Sequence, residues 1–186
     1  MATRTKLTYD DYAALPDDGK RYELMAGELY MVPSPTFGHQ RAGKRLQRQL
    51  ESFFEEKGLG EVFNAPLDVV LGHHDVAQPD ILVVLNPLQL SQRGVERAPA
   101  LVVEVLSPSN RNYDRIKKAG RYLATGVEHY WILDPETRHL QCLCAQNGVW
   151  VVVAEGRDDD CVTDPSWTDL AIDLARLWKP PRQLTS

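Results

Sequence analysis

The sequence predicts an α/β class of the α+β, mixed-sheet kind: one central mixed β-sheet flanked by helices. Three observations predict it. Residues 100–106 read Ala-Leu-Val-Val-Glu-Val-Leu, apolar on both faces except at Glu104, which is the pattern of a central strand covered on both sides. A helical stretch from about Tyr113 to Thr125, closed by Gly126, separates that strand from a second apolar strand at 128–133. Strand, helix, strand is the order of a crossover between parallel neighbours. The remaining strands are short and joined by turn signals, as in antiparallel pairs.

Taken in order, Thr8 is placed to cap a short helix running through Leu15 and ended by Pro16. Arg21–Met25 and Glu28–Val32 flank Ala26-Gly27 as a hairpin. Residues 38–57 form an amphipathic helix, with Ala42, Leu46, Leu50, Phe53 and Phe54 at steps of three and four and Gly58 just beyond. Strands are expected at 61–65, 67–71 and 80–85, with Gly72-His73-His74-Asp75 as a loop. Ser107-Pro108-Ser109-Asn110 breaks the central strand, and Asp134-Pro135 turns the chain into a strand at 139–145. Asn147-Gly148 then turns it into another at 149–154, and Ser166–Trp178 reads as an extended piece plus a short helix.

The chain has 186 residues, a length that suits one domain over 1–186 with a single sizeable core. No repeat or linker divides it. Lys and Arg number 21 against 26 Asp and Glu, for a formal charge of -5. That excludes a uniformly basic nucleic-acid coat but not a basic face on an acidic body. No apolar run has the length of a membrane helix, and the N-terminal residues lack an apolar signal core. Three cysteines leave no closed disulfide set, so a reducing cytoplasmic setting is expected.

Glu104 is the position with the strongest chemical signal. It stands mid-strand between Val103 and Val105, where an ionised carboxylate is costly unless a cation or several donors meet it. Two readings fit: a buried salt bridge, or metal ligation and acid–base work. Asp80 opens another apolar strand after Gln78-Pro79. It either caps a turn or, if strands 80–85 and 100–106 are neighbours, meets Glu104 over one face. Two acids on an otherwise apolar sheet suit a hard divalent cation. On the following helix, Asp114, Lys118 and Tyr122 step by four along one flank of an inner stripe formed by Ile116, Gly120 and Leu123, with Lys117 pointing outward. Lys118 is then either a surface lysine paired with Asp114 or a cation reaching a closed site.

Other signals are weaker. His39 begins the basic helix, where a structural role competes with contact to substrate. Adjacent His73 and His74 project apart at a hairpin tip, a poor zinc site. Cys142 and Cys144 alternate to one strand face and lack redox spacing, and Trp131 and Trp150 are expected in the core. Arg41, Lys44, Arg45 and Arg48, with Arg111, Arg115, Lys117 and Arg121, form either a phosphate-facing rim or two solvated helix faces.

Together, Gln78-Pro79-Asp80, Val102 to Ser109, Tyr113-Asp114 with Lys118 and Tyr122, and Gly126 to Pro135 resemble the PD-(D/E)XK nuclease superfamily. The nearest branch is a bacterial restriction endonuclease group, formerly a domain of unknown function. The resemblance covers nearly the whole chain, including Arg21-Tyr22-Glu23-Leu24 and the Gly27-Glu28 hairpin. It implies a restriction-endonuclease-like core and a metal-dependent endonuclease that hydrolyses phosphodiester bonds of DNA. Asp80 and Glu104 match the motif's acids. The superfamily's lysine position, two residues after the second acid, is Leu106 here, and Lys118 matches the lysine displaced to the following helix. Glu23 matches a further acid that completes the site, and Tyr122 either buttresses Lys118 or packs in the core.

What the resemblance implies chemically is Mg²⁺ or Mn²⁺ held by Asp80, Glu104 and a main-chain carbonyl near Val105, with Lys118 stabilising charge at the phosphate. Two symmetry-related sites would cut both strands of a duplex, which favours a homodimer. The alternative is a catalytically silent protein of the same fold that binds nucleic acid or protein. A two-carboxylate glycosidase would need aromatic platforms beside the acids, and the tryptophans stand elsewhere in the sequence.

Overall fold

A computed structural model describes residues 5–107 and 113–180, without the side chains of residues 113–115. The expected break at Pro108–Asn110, the flank position of Asp114 and the rim residues Arg111 and Arg115 therefore lie outside the described residues. Helix α1 (Tyr9–Ala13) starts with a capping box in which the Thr8 side chain and the Asp11 backbone, and the Thr8 backbone and the Asp11 carboxylate, bond reciprocally. Strands β1 (Arg21–Met25) and β2 (Glu28–Val32) pair antiparallel, and helix α2 (Phe37–Phe54) follows. Then come β3 (Glu61–Asn64), β4 (Val69–Gly72), β5 (Asp75–Ala77), β6 (Ile81–Val84), β7 (Leu90–Ser91), β8 (Gly94–Glu96) and β9 (Leu101–Val105). A π-helical turn at Tyr113–Lys118 runs into α3 (Ala119–Ala124). The chain continues through β10 (His129–Asp134), β11 (His139–Gln146), β12 (Val149–Arg157), β13 (Cys161–Thr163) and β14 (Ala171–Asp173) to α4 (Leu174–Trp178).

The central sheet has six strands in the order β12-β11-β10-β9-β6-β3. It is mixed: β9 and β10 run parallel, joined through α3, and its other pairs are antiparallel. The β1–β2 hairpin belongs to a second six-stranded sheet, ordered β2-β1-β5-β4-β8-β7, and β13 pairs with β14. The two faces of β9 explain its unbroken apolar run. Leu101, Val103 and Val105 pack under the α2 residues Ala42, Leu46, Leu50, Phe53 and Phe54. Val102 and Leu106 pack on the other face with Tyr122, Tyr130 and Ile132, where the second sheet adds Met25 and Ala77. Glu104 alternates onto this second face. At Gly43 the helix comes so near the sheet that an added Cβ would touch a Val105 methyl at 3.4 Å.

One expectation for the α3 region is overturned. Ile116 is 70% exposed and Gly120 is exposed, while Lys118, Ala119 and Tyr122 are buried. The inner stripe was extrapolated at about 100° per residue from an ideal α-helix. The π-helical turn ahead of α3 changes that phase and brings Lys118 to the inside. The histidines at the β4–β5 turn also depart from expectation: their rings touch, with centroids 4.8 Å apart. Among the described residues, no helix is long and apolar enough to cross a membrane.

His129 begins β10 as a buried residue, 8% exposed. Its Nδ1 has no hydrogen-bond partner among the described residues and stands 4.0 Å from the Asp164 carboxylate, and its ring packs on Trp167. Burial lowers its pKa, more than the nearby carboxylates of Asp164 and Glu128 raise it. The unfolded chain therefore takes up a proton that the native chain resists. The stabilisation is complete above the unfolded histidine value of about 6.5 and is lost as the pH falls below it. Urea unfolding of the wild type at pH 7.5 and pH 5.5 should show a drop in stability that is smaller in His129→Gln; equal drops would assign the dependence to other groups.

Candidate active site

The site lies where β6 and β9 meet β1 and the helix pair. Strands β6 and β9 pair antiparallel with Ile81 opposite Val103. Continued by one residue, this register sets Asp80 across from Glu104, and directly opposed residues on antiparallel strands project to the same face. Asp80 is held from two sides. The Val105 N–H donates to its Oδ2 at 2.8 Å, and His39 Nε2, from the first turn of α2, lies 3.1 Å from the same oxygen. Oδ1 of Asp80 has no hydrogen-bond partner among the described residues. A strand residue turns its N–H and C=O to the same edge, so the Val105 carbonyl faces the edge at which Asp80 stands.

Behind this pair is a buried charge cluster. Lys118 Nζ is 2.9 Å from Glu23 Oε1 and 2.9 Å from Glu104 Oε1. Tyr122, one turn on, donates its hydroxyl to the same Glu104 oxygen at 2.6 Å. The Gln78 N–H donates to Glu23 Oε1 at 2.8 Å, while Glu23 Oε2 is buried without a hydrogen-bond partner among the described residues. All three ionised side chains are at most 5% exposed. Burial, reinforced by the Glu104 and Glu23 carboxylates, holds the Tyr122 phenol well above its ordinary pKa, so the hydroxyl stays a donor. Glu23, from β1, and Glu104, from β9, thus meet at the Lys118 ammonium beside α3.

The cluster adjoins a cleft of about 350 Å³ whose lining includes Asp80, Val105 and His39. One wall is α2, which contributes Gln40, Lys44 and Arg48; Arg21 of β1 adds a further cation. The proposed basic rim is therefore partly present and partly absent. Arg45 turns away and donates to the Leu177 carbonyl, tying α2 to α4. Arg121 is taken by a fork to Asp75. Lys117 reaches the Tyr30 hydroxyl at 3.2 Å. Arg45 and Arg121 are thus structural cations, for the reason sequence hides: their partners lie 132 and 46 residues away.

The donors fit a hard divalent ion. Asp80 offers an unpartnered carboxylate oxygen and Glu104 stands opposite it; both are oxygen donors. Among the described residues, no three His, Cys, Asp or Glu side chains converge as a closed metal cage. Mg²⁺ and Mn²⁺ keep several waters and need only one or two carboxylates, so two oxygen donors are a chemically adequate set for such an ion. For His39, where the sequence sets a structural role against contact to substrate, the structure gives a contact with Asp80. The signal that could have placed it was its position two residues into a helix that packs against the Asp80 strand end.

A family model described as "Putative restriction endonuclease", Uma2, matches residues 9–174. Among solved structures, the chain is similar to "a putative nuclease belonging to DUF820" from Anabaena variabilis, with a TM-score of 0.75 and 21% identity. That likeness spans 92% of this chain and 97% of the other, and at this identity it shows a shared fold. No curated protein matches.

The buried cluster predicts a contrast between adjacent lysines. Lys118→Met leaves two buried carboxylates without their ammonium and should cost about 3–5 kcal/mol. Lys117→Met, on an exposed side chain, should stay within about 0.5 kcal/mol of wild type. Urea midpoints compared at pH 7.5 measure both; equal losses would show that the Lys118 pairs do not govern this region.

Proposed function

The chain belongs to the Uma2 family of restriction-endonuclease-like proteins, and from that premise we propose that it hydrolyses phosphodiester bonds of DNA with the help of Mg²⁺ or Mn²⁺. Family and fold place it among nucleases, and its core is the mixed-sheet, restriction-endonuclease-like one. The observation that carries the finer reading is the opposition of Asp80 and Glu104, which share a small recess, with Asp80 also lining the adjoining cleft of cations.

Asp80, Glu104 and the Val105 carbonyl are the groups that would hold the ion. When bound, such an ion polarises a phosphoryl oxygen and lowers the pKa of water. The rest falls to the chain itself. Lys44, Arg48 and Arg21 attract the phosphate backbone into the cleft. His39 and the Val105 N–H fix one oxygen of Asp80, leaving the other directed by that grip rather than free to rotate. Tyr122 fixes Glu104. Lys118, held between Glu23 and Glu104, lines the same small recess as Asp80 and Glu104, from which it would stabilise the negative charge that grows on the phosphoryl oxygens and orient the attacking water. Glu23 positions Lys118 and is itself anchored by the Gln78 N–H. Leu106, where the wider superfamily carries its lysine, is buried against Tyr122 and Ala119. The ammonium reaches the site from the neighbouring helix instead.

Plasmid nicking should require Mg²⁺ or Mn²⁺ and disappear in Asp80→Asn and Glu104→Gln. Lys118→Ala, assayed on protein shown to be folded, should lose about a hundredfold or more, and Lys117→Ala far less. Cleavage that persists in a chelator, or full activity in Asp80→Asn, would contradict the assignment. Binding of DNA without any cleavage would favour a silent, binding member of the same fold.

A further inference from the structure

Resting on the nuclease reading above, we propose that Phe37 is a stacking platform for one unpaired nucleobase of the substrate, at the rim of the cationic cleft. Phe37 is the first residue of α2 and is 80% exposed, an unusual position for a phenyl ring on a helix whose other large apolar residues are buried. Its place is defined by the helix. Gln40 and Lys44, three and seven residues further on, share its face and line the cleft, and Arg48 continues the same stripe. Pro35, two residues earlier, also lines the cleft, and His39, two residues later, contacts Asp80. The ring therefore stands at the N-terminal head of the stripe that Gln40, Lys44 and Arg48 continue, on the outer rim of the cleft those residues line. Arg41 lies with its guanidinium carbon 5.4 Å from the ring centroid, a cation–π contact that steadies the ring while leaving it open to solvent.

An exposed aromatic in line with a row of cations is the arrangement by which proteins grip single strands: the cations follow the phosphates and the ring receives a base. A base in an intact duplex has both faces covered by its neighbours. The occupant is therefore a base out of its stack, whether in a single strand, at a mismatch or extruded from the helix. The contact is sequence-tolerant, since every base has a π-face, and it adds a preference for substrate form rather than for a base identity.

The test is fluorescence anisotropy of labelled DNA oligonucleotides with the full chain in chelator, so that binding is read without cleavage. Phe37→Ala should weaken binding of a single strand by about 5- to 100-fold, the range of one base–aromatic stack. Phe37→Trp should keep the affinity, and Phe37→Leu, apolar but unable to stack, should resemble Phe37→Ala. An abasic position stepped along the strand should cost the wild type the same factor at one register and cost Phe37→Ala nothing further there. A mismatched duplex should show the Phe37→Ala loss and a fully paired one should not. Binding by Phe37→Ala within twofold of wild type, or a flat abasic scan, would overturn the platform while leaving the nuclease reading intact. An equal loss on the fully paired duplex would overturn the unpaired-base assignment. Wild type that binds none of these DNAs would overturn both.

Discussion

One buried ammonium, that of Lys118, is shared by two carboxylates on different sheets, and the geometry of the site follows from it. Glu23 comes from β1 of the second sheet and Glu104 from β9 of the central one; both place Oε1 2.9 Å from Nζ. Taking three ions out of water is costly, and such clusters seldom stabilise a fold relative to apolar packing. The surroundings could have been apolar, since Val102, Leu106, Tyr122 and Ile132 already fill that face of β9. Such a cost agrees with the catalytic role proposed for Lys118 and Glu104. The cluster fixes where β1, β9 and the start of α3 stand relative to one another.

A second constraint acts on the other side. α2 approaches the end of β9 at Gly43 and delivers His39 to Asp80 in the same first turns. One helix therefore does three things along its length. Its buried residues cover the central sheet, its first turn orients an acid, and its solvent-facing stripe lines the cleft with cations. Arg45 shows how finely the roles divide, since one residue beyond Lys44 the side chain points to α4 instead of the cleft.

Much of this was legible in the sequence. The apolar run at 100–106 interrupted by Glu104 announced a strand covered on both faces, because it is short, rich in valine and bounded by Pro99 and Pro108. Gln78-Pro79-Asp80 marked the start of β6, and antiparallel pairing of β6 with β9 supplies the opposition that the two acids needed. What could not be read were contacts made at long range and departures from ideal helix phase. The π-helical turn before α3 leaves Ile116 outside and brings Lys118 inside, and no periodicity count anticipates it. The bonds from Arg121 to Asp75 and from Arg45 to the α4 end depend on tertiary neighbours, so spacing alone leaves both residues between a phosphate rim and a solvated helix face, and neither describes them. The division of the strands into two sheets was likewise hidden, since short alternating strands carry no mark of which sheet they join.

The central claim is that Asp80 and Glu104 together form a divalent-cation site. Anomalous diffraction from crystals soaked in Mn²⁺ tests it most directly. The account predicts one strong Mn peak between the two carboxylates, on the side of the Val105 carbonyl, with Lys118 still paired to Glu104. A peak at His73 and His74 or elsewhere on the surface, with none between Asp80 and Glu104, would contradict it.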